Sequence, residues 1–119
     1  MFVPQKGSLH GQFQRAIERR NLLSAETAAR DLGRLSLSDA LALLLLIAAQ
    51  DPDRFDRAAA LWHARFVIEG RTVNLVDSEL VLAAVATLRY RDSVATSTLD
   101  ELGRRYRIGN LESALRRFD

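Results

Sequence analysis

The fold is decided by a run of ten apolar residues near the middle of the chain, Ala40-Leu41-Ala42-Leu43-Leu44-Leu45-Leu46-Ile47-Ala48-Ala49. A helix that crosses a bilayer needs about 20 such residues, twice the length of this run. No polar residue interrupts the run, so a helix built from it is apolar around its whole circumference. We therefore expect a helix from about Ser38 to Gln50 that lies at the centre of the fold and is enclosed by other helices.

On both sides of this run, apolar residues recur three or four positions apart, which is typical of helices with one buried face. Six further helices are predicted. The first follows Ser8, the next runs from a cap at Ser24 to Gly33, and another runs from a cap at Asp51 through Pro52 to Gly70. A fourth follows Asn74, with Asp77 as its capping-box partner, and the last two begin at Thr98 and at Asn110. Residues 89–97 are predicted to form a polar loop. No stretch alternates with period two over the length of a strand. We predict an all-α fold, a compact bundle of about six or seven short helices packed as antiparallel helix hairpins.

Length and composition indicate one globular domain. The 119 residues are 48% hydrophobic and 27% charged, close to the averages for such domains. We predict a single helical domain over residues 1–119, with core helices in 8–89 and a C-terminal helix pair in 97–119. Residues 1–8 lack the basic head and apolar run of a secretory signal, so we expect a cytoplasmic protein without a membrane segment.

Few side chains have a spacing that suggests chemistry. The chain has no cysteine, which excludes disulfides, thiolate catalysis and metal sites held by sulfur. Neither His10 nor His63 has a second ligand at metal-binding spacing, and the glycine patterns of phosphate and dinucleotide sites are absent. We expect no enzyme, no cofactor and no metal. The remaining enzyme hypothesis would use Glu18, His63 or Asp77 in an unfamiliar arrangement.

The C-terminal arginines support a different hypothesis. Residues 98–117 resemble the helix-turn-helix units of bacterial DNA-binding proteins, in which a helix with a Leu-x-x-Leu-Gly pattern leads into a tight turn and a basic second helix. The resemblance implies a small DNA-binding regulator. Its candidate nucleic-acid-binding residues are Arg104, Arg105, Arg107, Arg116 and Arg117.

Two features rank this hypothesis second. Arg107 occupies the turn position usually given to glycine, and Ser113 occupies a usually apolar position, so the second helix is out of register. In addition, Asp100, Glu101 and Glu112 each precede an arginine by four positions, which predicts ion pairs along the helix surface. Three of the five arginines would then be neutralised.

Three segments resemble short all-helical proteins of unknown function that are frequent in GC-rich bacteria. The segments read QFQRAIER at residues 12–19, LSLSDAL at 35–41 and RAAALWHARF at 57–66. This resemblance, which extends over residues 10–88, implies an all-α fold and carries no activity.

Our first hypothesis is a non-catalytic protein-interaction or assembly module. The central apolar helix and the dense stretch LVLAAVA at residues 80–86 together carry more apolar surface than five short helices can cover. We expect one face to pair with a second copy of the chain, as a homodimer, or with another protein.

Overall fold

The computed structural model describes residues 6–116. Within this range the chain forms seven α-helices: α1 (Lys6–Glu18), α2 (Leu22–Leu32), α3 (Leu37–Gln50), α4 (Phe55–Gly70), α5 (Leu75–Thr87), α6 (Ser93–Arg105) and α7 (Leu111–Arg116). Single turns of 3-10 helix, Pro52–Arg54 and Leu88–Tyr90, precede α4 and follow α5. Consecutive helices pack as hairpins in the pairs α1–α2, α4–α5 and α5–α6. The predicted all-α bundle is confirmed.

Helix α3 lies at the centre, as its apolar circumference predicts. It contacts α1, α2, α4 and α7, and the side chains of Leu41 and Leu46 are fully buried. Each surrounding helix directs its own apolar stripe into one shared core. The fully buried side chains from these helices are Phe13, Phe55, Phe66, Val81, Val85 and Leu99.

Several helix ends follow the predicted signals. Gly33 ends α2 with a φ of 82°, a left-handed conformation that glycine adopts without a steric penalty. The Asn74 side chain accepts a hydrogen bond from the Asp77 backbone N–H at 2.8 Å, so Asn74 is the N-cap of α5. The Asp77 side chain does not return the bond as a capping box would. It is buried and faces α6 instead.

One predicted cap is wrong by three residues, and another lacks the side-chain hydrogen bond of a cap. Helix α2 begins at Leu22, and its N-cap is Asn21, whose side chain accepts from the Ser24 N–H at 3.1 Å. Asn and Ser are comparable N-caps, so spacing alone does not separate them. Asp51 is at the N-cap position with Pro52 at the first helical position, as predicted, but the helix it opens is a 3-10 turn before α4. Its side chain forms no capping hydrogen bond and accepts one from Arg54 Nε at 2.6 Å.

The predicted polar loop over residues 89–97 is also wrong. Helix α6 begins at Ser93, and its N-cap is Asp92, which accepts from the Val94 N–H at 2.8 Å. Ala95 is buried and extends the stripe of Leu99 and Leu102 by one turn. Thr98, the predicted start, therefore lies inside the helix.

Candidate interaction surface

Most of the exposed large hydrophobic side chains of the described chain lie on the hairpin of α4 and α5. Nine large hydrophobic side chains are exposed within residues 8–116, and six of them belong to these two helices. Their exposed fractions range from 44% for Leu82 to 74% for Leu75. The six residues, which we call the α4–α5 face, are Leu61, Ile68, Leu75, Val76, Leu80 and Leu82.

The opposite sides of the two helices fix this orientation. Trp62 and Phe66 of α4 and Val81 and Val85 of α5 are buried in the core. The hairpin is held in register by His63, whose Nε2 lies 2.9 Å from the Ser78 carbonyl oxygen and 3.1 Å from its hydroxyl. Because one side of each helix is buried in the core, the apolar residues on the other side of the same helix point toward solvent.

An apolar groove extends the face toward α3. It runs between α3 and α4, and its lining is almost entirely hydrocarbon apart from Arg65. Leu61, which is 64% exposed, forms the edge shared by the groove and the α4–α5 face. The residues that line the groove are Ala40, Leu43, Leu44, Ile47, Ala58, Leu61, Trp62 and Arg65.

Most of the C-terminal arginines are engaged with acids. Arg104 lies 3.2 Å from Asp100 and 3.3 Å from Glu112. Arg105 lies 3.6 Å from Glu101, and Arg116 forms a short ion pair with Glu112. The three ion pairs predicted at i,i+4 are therefore present. Arg107 is exposed, and Arg117 lies outside the described residues.

The turn between α6 and α7 agrees only in part with a helix-turn-helix unit. Gly103 permits a close approach of the helices, since a Cβ on it would lie 2.7 Å from Leu111 Cδ1. Arg107 has a φ of 59°, the conformation for which glycine is usual at that turn position. The second helix buries Leu111, Ala114 and Leu115 and exposes Ser113, so it is out of register as predicted. DNA binding by these arginines stays a prediction.

The three residues of the enzyme hypothesis have separate surroundings. Glu18 is exposed at the end of α1, and His63 is bound to Ser78 between α4 and α5. The Asp77 carboxylate is buried and points to the other side of α5, toward α6. No contact joins any two of their side chains within residues 6–116. An enzyme using these residues remains an untested hypothesis.

Asp77 forms a polar clasp between the start of α5 and the end of α6. Its carboxylate accepts a short hydrogen bond from the Tyr106 hydroxyl and lies 3.1 Å from the Arg105 guanidinium. The Tyr106 hydrogen bond, aided by Arg105, holds the pKa of Asp77 below its ordinary value. The same hydrogen bond raises the pKa of Tyr106. The clasp ties two helix ends that are 28 residues apart along the chain.

A second polar cluster joins α1 to α3. His10 Nε2 lies 2.8 Å from Asp39 Oδ2, and the Gln14 amide donates to Asp39 Oδ1 at 2.9 Å. They line a polar cleft of about 400 Å³ that also includes Ser38 and Ser113. The His10 side chain is half-exposed, and its partner 29 residues away carried no sequence signal.

Residues 6–116 contain no group of three or more His, Cys, Asp or Glu side chains placed to hold a metal ion. In the same range, no helix combines the length and apolarity that crossing a bilayer requires. The cytoplasmic location stays a prediction.

Comparison with known proteins adds no relative to this description. No family model, no curated protein and no solved structure matches the chain. The resemblance to short helical proteins of GC-rich bacteria therefore stays untested. A functional proposal has to stand on the geometry of the chain itself.

Proposed function

We propose that the chain is a non-catalytic assembly module that pairs with a second copy of itself through the α4–α5 face. The observation that carries the proposal is the concentration of six exposed large hydrophobic side chains on two adjacent helices. Exposed apolar side chains scattered singly are ordinary on soluble proteins, whereas contiguous patches mark interaction surfaces.

The charges on this face suit a copy of the same chain. Arg57 precedes Leu61 by one helical turn, and Glu79 lies beside Leu80; both are exposed, and neither forms an ion pair within residues 6–116. A two-fold interface places the same surface on both partners. With one charge of each sign, such a surface can bring Arg57 of one copy toward Glu79 of the other without forcing like charges together.

The size of the face indicates a reversible dimer. Helices of 13 to 16 residues are about 20–24 Å long, and neighbouring helix axes lie about 8–10 Å apart. With the α3–α4 groove, an interface of this length and width lies near the lower limit of about 1,000 Å² for two copies at which specific interfaces begin. We expect dissociation in the micromolar range or weaker.

Sedimentation equilibrium over about 1 µM to 1 mM protein tests the proposal. The wild-type mass should rise toward that of a dimer with concentration. The double variant Leu61→Glu and Leu80→Glu should remain monomeric, because each copy would bury an unpaired carboxylate. The matched control is Leu23→Glu, which changes a side chain of 79% exposure on α2 and should leave dimerisation intact. A wild-type chain that stays monomeric at 1 mM would refute self-pairing.

A further inference from the structure

Four arginines that follow helix ends have a left-handed φ, namely Arg20, Arg71, Arg91 and Arg107, and two of them lie in turns that contact each other. Arg71 follows α4 with a φ of 62°, and Arg107 closes the turn after α6 with a φ of 59°. Left-handed φ values favour glycine, or asparagine, because a Cβ crowds the following carbonyl group. Backbone geometry therefore does not account for arginine at either position. Residues held in such conformations often serve a function that the stability of the fold does not require.

The two turns lie against each other. A Cβ on Gly70 would lie 3.5 Å from the Tyr106 Cβ, so the backbone of one turn packs on the tyrosine of the other. Arg71 and Arg107 are the next residues along the chain, and both are exposed. Within residues 6–116, neither guanidinium forms an ion pair or a hydrogen bond. The two groups thus extend from adjacent turns at one end of the bundle.

Positive charge exceeds negative charge at this end. Glu69 is shared by Arg65, at 2.9 Å, and Arg34, at 3.5 Å. Asp77 is bound by Arg105 and Tyr106. The groups of this basic end, five arginines and three carboxylates, are Arg34, Arg65, Arg71, Arg105, Arg107, Glu69, Asp77 and Glu101, which lies 3.6 Å from Arg105. Each carboxylate is already paired with at least one arginine, whereas Arg71 and Arg107 have no carboxylate partner within residues 6–116.

We propose that the basic end binds an acidic, extended segment of a partner protein, with a carboxylate held between Arg71 and Arg107. The same arrangement already occurs within the chain, where the carboxylates of Glu69 and Asp77 are each held by two donor side chains. A guanidinium fits a carboxylate through two parallel hydrogen bonds. A surplus of two positive charges is small beside the six to ten phosphate contacts of a typical DNA-binding protein, which favours a peptide over nucleic acid. This surface adjoins the α4–α5 face at the loop between Ile68 and Leu75, and the proposal does not depend on self-pairing.

A fluorescent hexaglutamate peptide, titrated with the full chain and followed by anisotropy, tests the proposal. Wild-type protein should bind the peptide at low ionic strength, and binding should weaken as salt screens the charges. The double variant Arg71→Gly and Arg107→Gly should lower the affinity about tenfold, since exposed ion pairs contribute up to about fivefold each. Glycine suits both backbone conformations, so the thermal midpoint of the variant should not fall. A variant with asparagine at both positions should behave alike, because asparagine also tolerates left-handed φ.

Arg91→Gly is the matched control. Arg91 also has a left-handed backbone, with a φ of 57°. It follows α5 at the opposite end, about 20 Å away along the 13 residues of that helix. Its substitution should change the affinity less than twofold. Three results would each overturn the proposal: no peptide binding by wild type at low salt, an equal loss in Arg91→Gly, or tighter binding of a short generic DNA duplex than of hexaglutamate.

Discussion

Helices α3 and α5 have similar sequences and different surroundings. Both are almost continuously apolar, yet Leu41 and Leu46 of α3 are fully buried, whereas Leu80 and Leu82 of α5 are 47% and 44% exposed. Helix α3 has α1, α2, α4 and α7 around it, and α5 packs mainly between α4 and α6. The density of apolar residues in a helix therefore predicts how much apolar surface must be buried. It does not predict whether that surface is buried by other helices of the same chain or by a partner.

The largest effect is expected inside α3. Leu41→Ala removes a fully buried side chain and leaves a cavity that the surrounding helices cannot close, so the free energy of unfolding should fall by about 2–5 kcal/mol. Urea unfolding followed by circular dichroism measures it. A loss below about 1 kcal/mol would contradict the central position of α3.

A smaller effect is expected where α6 meets α7. A methyl group added by Gly103→Ala would lie 2.7 Å from Leu111 Cδ1, and such overpacking lowers the free energy of unfolding by about 1–3 kcal/mol. Gly109→Ala is the control, because a Cβ at Gly109 meets no atom within 4 Å. Equal urea midpoints for the two variants would show that α7 does not pack closely on α6.

An intermediate effect is expected at the Asp77 clasp, which joins the buried side of α5 to α6, whereas the outer face of α5 has no such contact within residues 6–116. Asp77→Asn should lower stability at pH 7, moderately, because Arg105 is half-exposed and keeps its hydration. The Tyr106 hydrogen bond lowers the folded-state pKa of Asp77, so this stabilisation is complete above the unfolded pKa of about 3.9 and is lost as the pH falls through the folded pKa.

The difference between wild type and Asp77→Asn in urea unfolding should accordingly shrink as the pH is lowered below about 4. Asp53→Asn serves as control, since Asp53 is exposed and has no ion-pair partner within residues 6–116. A difference that stays constant down to pH 2 would show that the charge of Asp77 contributes nothing.

The smallest effect is expected on the outer face of α5. Leu80→Ala, measured in dilute protein where a dimer is dissociated, should change the free energy of unfolding by less than about 1 kcal/mol, because nearly half of the side chain is already in water. A loss as large as that of Leu41→Ala would remove the contrast between the two helices.

The fold could be predicted from the sequence because its signals are local. Stripes with helical spacing, the glycine at position 33 and the asparagine at position 74 each act within one or two turns of chain. The errors arose where two local signals compete. Asn21 and Ser24 are both good caps, and Asp92 and Thr98 are both good starts for α6; the choice depends on whether Ala25 and Ala95 reach the core.

The candidate surfaces could be predicted only in part. The excess of apolar residues at 80–86 indicated an open face, but its location needed the packing of α4 against α5. The clasp of Asp77 with Arg105, and the pair of His10 with Asp39, join residues 28 and 29 positions apart. Sequence spacing carries no information at that range without a fold. Arg71 and Arg107, two of the four left-handed arginines, become neighbours only because Gly70 packs on Tyr106.

The chain contains one tryptophan, and its placement makes it a built-in optical reporter. Trp62 is buried at 3% exposure, and its indole N–H donates to the Leu37 carbonyl oxygen at 2.9 Å. Its emission therefore reports on the seam between the first turn of α3 and the middle of α4. A red shift that precedes the loss of helical ellipticity during denaturation would reveal that this seam opens while the helices persist.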